Sequence, residues 1–263
     1  MSDALAPEQP DATKDPWWQA ALDVLLPPRC VGCGRRGAQV CAACVSELRP
    51  LGSNVCPRCG MPTTEGRVCR RCLGKETSLR AVLAGYAFEG TIRAAILAFK
   101  YRARTRLGPF LTGALAAPLT YRPLTIDLVV PVPLSAERLR LRGFNQAELL
   151  AHPLAAGRGW PVATDALTRI RDTRQQTELP ARERLGNVAG AFGVPRPEAV
   201  SGKRVLLVDD VCTTGATLAA CAAPLRDAGA EGVWGIVVAR DIRVNGNRAR
   251  VPKGLARVLT SSL

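Results

Sequence analysis

The run Val205-Leu206-Leu207-Val208-Asp209-Asp210-Val211-Cys212-Thr213-Thr214-Gly215-Ala216-Thr217 carries three kinds of information in succession. Its first four residues are branched and apolar, the pattern of a strand buried on both faces. Two carboxylates come next, where that strand would end, and open α/β sheets bind ligands at the carboxyl ends of their strands. A Thr/Gly/Ala loop then leads into a helical stretch, Thr217 to Ala228, closed by Gly229, with a further strand at Val233–Val238. Strand, helix, strand in this order predicts a parallel sheet. At the loop, free backbone N–H groups at a helix N-terminus and the hydroxyls of Thr213, Thr214 and Thr217 form a cradle for phosphate. Gly215 and Ala216 let the main chain come close to the anion. Asp209 and Asp210 suit sugar hydroxyls, or a magnesium ion held through water. A phosphate on one side and a diol on the other describe a ribose 5-phosphate. Neither GxGxxG nor GxxxxGK[ST] occurs in the chain, so the common nucleotide motifs do not compete.

Upstream, Ala81–Phe88 reads as a strand and Thr91–Tyr101 as an amphipathic helix. Ile126–Val132 reads as a strand, and residues 135–151 are expected to contain a helix. Val129-Val130-Pro131-Val132-Pro133 runs into Arg138, Arg140 and Arg142-Gly143-Phe144-Asn145-Gln146, and clustered arginines suit a pyrophosphate group.

Eight of the ten cysteines form four CxxC pairs: Cys30/Cys33, Cys41/Cys44, Cys56/Cys59 and Cys69/Cys72. A tight turn between two thiolates places them on one face of a tetrahedral ion, and two such pairs complete its shell. The first and third pairs are each followed by Gly, and a second CxxC comes 7 or 9 residues later. The arrangement is therefore a repeated zinc ribbon holding two structural zinc ions. A disulfide framework is the rival, but no other cysteine-rich region supports it. Sequential pairing is preferred (30, 33, 41, 44 and 56, 59, 69, 72), although interleaved halves satisfy the same spacing. Ahead of the ribbons, Trp17 to Leu26 has a helical apolar period and ends at Pro27-Pro28. Residues 1–15 are expected to be disordered.

The PRPP (5-phosphoribosyl-1-pyrophosphate) loop of type I phosphoribosyltransferases resembles residues 205–217: an apolar strand, two acids, then a Thr/Gly-rich loop. The stretch from Pro131 to Arg142 resembles the pyrophosphate loop of that fold together with the segment after it. Arg171, Thr173, Gln176, Thr177, Leu179, Arg184, Asn187 and Phe192 lie where the fold carries its mobile loop, which would exclude water on closing. Taken with the amino-terminal CxxC pairs, the chain from about 17 to 241 resembles the ComF family, a double zinc ribbon joined to a phosphoribosyltransferase domain. Its most specific parts are Arg142–Gln146 and Asp209–Thr217. The resemblance implies PRPP with magnesium as ligand. It assigns Asp209, Asp210, Thr213, Thr214, Gly215, Ala216 and Thr217 to PRPP. The pyrophosphate falls to Pro131, Val132, Pro133, Arg138 and Arg142. It also implies an association with uptake of single-stranded DNA and with DNA-uptake proteins. Cys212 reads as a tolerated buried side chain and Cys221 as core.

The expected layout is a short start (1–27), the double ribbon (28–76), an α/β domain of type I phosphoribosyltransferase fold (80–241) and a basic tail (242–263). Composition agrees with a globular protein: 263 residues, 47% hydrophobic and 22% charged. No apolar stretch reaches the roughly 20 residues of a membrane helix. The start shows no basic-then-apolar leader pattern, so a cytoplasmic location is expected. There are 36 basic against 22 acidic residues, net +14, and 31 of the basic residues are Arg, a surplus that favours polyanionic partners. The single histidine, His152 before Pro153, reads as a loop residue without a role; it excludes HExxH and leaves almost no room for a Ser-His-Asp or Cys-His triad.

Three functions fit this reading. The first is a PRPP-using transferase whose acceptor is held near residues 85–101, including Lys100, or by the ribbon. The second is a nucleic-acid adaptor that uses Lys100, Arg102, Arg104 and Arg106 with Phe99 and Tyr101 interleaved as stacking groups. The third is a regulator that senses PRPP.

Overall fold

A computed structural model describes residues 27–171, 190–244 and 247–248. The expected helix at Trp17–Leu26, the disordered start, loop residues Thr173, Gln176, Thr177, Leu179, Arg184 and Asn187, and most of the tail lie outside them.

Four parallel strands make the central sheet: β1 (Ala81–Ala87), β2 (Leu128–Pro131), β5 (Arg204–Cys212) and β6 (Gly232–Arg240), in spatial order β1-β6-β5-β2. Their side chains alternate between two apolar layers. In β5, Val205 and Leu207 face one layer while Leu206 and Val208 face the other, all with no exposure. Burial on both faces is why these strands read as unbroken apolar runs. Helices α2 (Gly90–Tyr101), α3 (Gly108–Ala116) and α5 (Gln146–Ala156) cover one face, and α6 (Ala216–Asp227) covers the other. The chain therefore leaves β2 toward one side of the sheet and β5 toward the other. That divergence opens a crevice at their carboxyl ends.

The long apolar stretch from Leu107 contains α3, a helix that no periodicity in the sequence marks. Residues 135–151 hold two helices rather than one: α4 (Ala136–Arg142) ends at Gly143, φ 77°, and α5 begins after Asn145. His152 is not in a loop. It lies on the exposed side of α5, with Nε2 3.9 Å from Glu148 Oε1. Between α5 and β5, two-residue strands β3 (Thr168–Arg169) and β4 (Phe192–Gly193) pair antiparallel and bring the chain near 171 and 190 together.

The zinc-ribbon region holds helix α1 (Ala42–Ser46) and covers the free edge of β1. Leu51 N–H donates to Gly85 O at 2.9 Å and Val82 N–H donates to Arg58 O at 2.9 Å. An exposed edge of unpaired amides is a template for aggregation, so the ribbon closes a side the sheet cannot close itself. Arg122 and Arg104 add bonds to Pro57 O (3.0 Å) and Arg29 O (3.1 Å).

Two four-cysteine clusters form, Cys30/Cys33/Cys41/Cys44 and Cys56/Cys59/Cys69/Cys72, each with all its sulfurs within 4.8 Å of one another. A tetrahedral zinc with Zn–S near 2.3 Å needs sulfurs about 3.8 Å apart. Cys33 and Cys41 Sγ are 3.5 Å apart, and Cys59 and Cys69 Sγ 3.7 Å. The donor sets therefore fit zinc, and the pairing is sequential. Burial raises the Cys30 and Cys56 thiols, but knuckle and neighbouring backbone N–H groups outweigh it and bring them down to about 6 and about 7. Each cluster thus has one thiol ready to ionise for the metal.

Two substitutions test this architecture. A Cβ at Gly85 would lie 2.0 Å from Ala114 O, so Gly85→Ala forces β1 and α3 apart. The expected loss is about 1–3 kcal/mol, read as a fall in the denaturant midpoint. Elemental analysis of the purified chain is expected to give two zinc ions, and Cys33→Ser is expected to lower this toward one by disabling a single cluster. Loss of both ions together would contradict independent sites.

Candidate functional site

The crevice holds a cavity of about 530 Å³ at the carboxyl ends of β2 and β5. Asp209 and Asp210 form its floor because β5 continues its ladder past them to Cys212. Alternation turns successive side chains to opposite faces, so the two acids differ. Asp210 is only 4% exposed and pairs with Lys100 Nζ at 2.7 Å. Asp209 accepts the Asp210 N–H at 2.8 Å. Burial and the charge of Asp210 push the Asp209 carboxyl up to about 7, against the pull of Lys100.

Beyond the acids, Thr213, Gly215, Ala216 and Thr217 line the cavity and lead into α6. Gly215 takes φ 87°, a left-handed conformation that glycine adopts without strain. Thr214 does not line the cavity. Its Oγ1 instead accepts the Ala216 N–H at 3.2 Å and fixes the turn at the helix start.

Arg142-Gly143-Phe144-Asn145-Gln146 forms the opposite wall, held by specific contacts. Asn145 Oδ1 caps α5 by accepting the Ala147 N–H at 3.1 Å, while its Nδ2 donates to Val132 O at 3.3 Å. The start of α5 is thereby tied to the end of β2. Phe144 packs edge-on against Phe99, with ring centroids 5.8 Å apart. Arg142 donates to Gln146 Oε1 at 2.8 Å and lies over the Tyr101 ring at 5.0 Å. Ser135 Oγ accepts the Arg138 N–H at 3.3 Å and starts α4, which carries Arg138 into the cavity lining.

The structure thus gathers Asp209, Asp210, Thr213, Gly215, Ala216, Thr217, Val132, Pro133, Arg138 and Arg142 around one space. Pro131 stays in β2, behind the lining. Arg171 is exposed and is not among the lining residues. Lys100, grouped by sequence with the exposed arginines, is instead a pocket residue held by Asp210. Arg102 and Arg106 remain exposed, and Arg104 is half-buried against Arg29. Arg169 also lines the cavity, 5.5 Å from the Phe192 ring centroid, and no motif singled it out. Cys212 and Cys221 are buried, and burial raises both thiols. Among the described residues no helix is long and apolar enough to cross a membrane.

Comparison with known proteins agrees with the fold. The double zinc ribbon domain matches residues 21–73 and the phosphoribosyl transferase domain matches residues 146–255. The DNA utilization protein YhgH of Escherichia coli (strain K12) is 32% identical over 200 residues, which is 74% of this chain and 87% of that protein. The competence protein F of Haemophilus influenzae is 31% identical over 214 residues, 75% of this chain and 89% of its own. The competence protein ComFC of Bacillus subtilis is 30% identical over 187 residues, 68% and 75% respectively. With two four-cysteine clusters ahead of a parallel sheet of type I phosphoribosyltransferase fold, and relatives of this identity along most of its length, the chain belongs to the ComF family.

Proposed function

We propose that this protein binds PRPP with magnesium and transfers its phosphoribosyl group, in the service of uptake or processing of single-stranded DNA. The observation that carries this reading is the convergence of two acids, a phosphate-type loop and two arginines on one cavity of about 530 Å³. In this reading the loop from Thr213 to Thr217 receives the 5-phosphate. Asp209 and Asp210 take the ribose diol and would hold magnesium through water, the metal supplying charge neutralisation for the pyrophosphate. Arg138 and Arg142 face the pyrophosphate. The bond from the anomeric carbon to pyrophosphate opens while an acceptor nucleophile bonds to that carbon, and fixed charges stabilise the pyrophosphate as it leaves. Lys100 must release Asp210 as ligand enters, which frees its ammonium for the ligand's phosphates. The link to DNA rests on the names of the relatives, a DNA utilization protein and two competence proteins.

Binding of nucleic acid is a second reading, favoured by exposed Arg102 and Arg106 in the segment that follows the exposed, cavity-lining Tyr101. A regulator sensing PRPP would use the same pocket without turnover.

Calorimetric titration of magnesium PRPP into the zinc-loaded chain is expected to show saturable binding. The Asp209→Asn/Asp210→Asn variant should bind about tenfold weaker or worse. Equal affinity in that variant would refute the assignment of the acids. Because Asp209 titrates at about 7, its carboxylate is present above that pH and lost below it. Affinity is therefore expected to rise between pH 6 and 8 by more in wild type than in Asp209→Asn, the difference removing titration of the ligand itself. For DNA, single-strand affinity is expected to fall steeply with salt. Replacing Arg102, Arg104 and Arg106 by Ala should reduce the log–log slope by up to about 2. Binding indifferent to salt or to these arginines would remove the second reading.

A further inference from the structure

Arg240 ends β6 directly beneath the loop at Thr213, although it does not line the cavity. It is 1% exposed, the largest fully buried side chain among the described residues. Among the described residues no carboxylate forms an ion pair with its guanidinium, and its Nε is buried without a hydrogen-bond partner. Asp241, next in the chain, is engaged by Arg243. A buried cation is ordinarily paired, because removing it from water without a counter-charge is costly. Arg240 spends its hydrogen bonds on main-chain acceptors, while its charge acts on the neighbouring Asp241 and on Cys59 of the second zinc cluster. Nη1 donates to Cys212 O at 2.8 Å and to Thr213 O, and lies 3.2 Å from Cys212 Sγ.

Those two carbonyls determine where the next amides face. In a trans peptide the C=O and the following N–H point in opposite directions, and the chain has no cis peptide bond among the described residues. With Cys212 O and Thr213 O both turned toward Arg240, the N–H groups of Thr213 and Thr214 point the other way, to the cavity side. Among the described residues neither N–H has an internal acceptor. Two donors in succession without an internal acceptor, just ahead of a 12-residue helix, are free to receive an anion.

We infer that Arg240 is a positioning residue for the phosphate loop: it holds the Cys212 and Thr213 carbonyls so that the Thr213 and Thr214 amides receive a phosphate. This role deepens the phosphoribosyl reading and rests on it for the identity of the ligand. The anion-binding geometry stands on the peptide orientations alone.

Inorganic phosphate as the probe separates the two. In the zinc-loaded wild-type chain, the amide resonances of Thr213 and Thr214 are expected to shift on phosphate titration. Arg240→Met is expected to weaken that binding by about tenfold or more, with Arg240→Lys falling between Met and wild type. Pyrophosphate binding at Arg138 and Arg142 should change less than phosphate binding, an asymmetry that general loosening of the fold would not produce. Phosphate affinity unchanged in Arg240→Met, or Thr213 and Thr214 amides silent in wild type, overturns the inference. Should Arg240→Met fail to fold, Arg240→Lys carries the same test: weaker phosphate binding supports the inference and unchanged binding overturns it. Phosphate bound at these amides and weakened in the Arg240 variants, while magnesium PRPP fails to bind, would uphold the role of Arg240 and defeat the phosphoribosyl reading instead.

Discussion

The parallel pairing of β5 with β6, continued until Cys212 stands opposite Arg240, sets the geometry on which the site depends. From Val205 to Val208, main-chain polar groups are satisfied within the sheet and the side chains are apolar on both faces. Where the ladder stops, the next amides have no strand to pair with, and the two acids just before its end line the crevice. The same register that buries Leu206 and Leu207 thus delivers Asp209 and Asp210 to the crevice and a guanidinium to the underside of the loop. A register shifted by one residue would exchange the faces of Asp209 and Asp210 and break the contact between Lys100 and Asp210.

Around that centre the elements fasten one another. Asn145 joins α5 to the end of β2, Phe144 packs against Phe99 of α2, and Arg142 covers Tyr101. The end of β2, the end of α2 and the turn between α4 and α5 are therefore locked into one wall before any ligand arrives. The other wall is tied down as well, since Cys212 O accepts both Arg240 and the Asp241 N–H. Pre-formed donors lose little freedom on binding, the condition under which fixed charge is most effective.

The zinc ribbons contribute from the opposite edge. β1 is paired on one side only, and the ribbon supplies the missing partners through Leu51 and Arg58. The knuckles are short and have little core of their own, so metal ligation has to substitute for apolar burial in shaping them. Gly60 at the second knuckle shows how close the fit is: a Cβ there would sit 2.9 Å from Val82 O, and φ 70° already favours glycine. The ribbon is thus a structural part of the sheet edge, next to the strand that leads into α2 and Lys100.

Much of this is legible in the amino-acid sequence, for physical reasons that differ by element. Doubly buried strands announce themselves as apolar runs, so β1, β2, β5 and β6 can be read to within a few residues. CxxC spacing determines metal geometry locally, so both clusters can be read as well. Asp209, Asp210 and the loop to Thr217 are contiguous, so bringing them together needs no long-range information. Other features are decided by residues distant in the chain and leave no local trace. The turn at Gly143–Asn145 passes for helix interior because one of its fastenings, from Asn145, reaches back to Val132. In α3 the exposed positions include Pro109 and Gly113 rather than charged residues, so no polar stripe marks the helix. Lys100 resembles its exposed basic neighbours until the end of α2 is placed over β5, where Asp210 claims it. Arg240 reads as the last residue of a strand, and only the sheet register reveals that it lies under the phosphate loop. Sequence alone determined which chemistry the chain carries; tertiary structure decided which charges meet, because the partner of each buried charge is chosen by sheet register rather than by proximity along the chain.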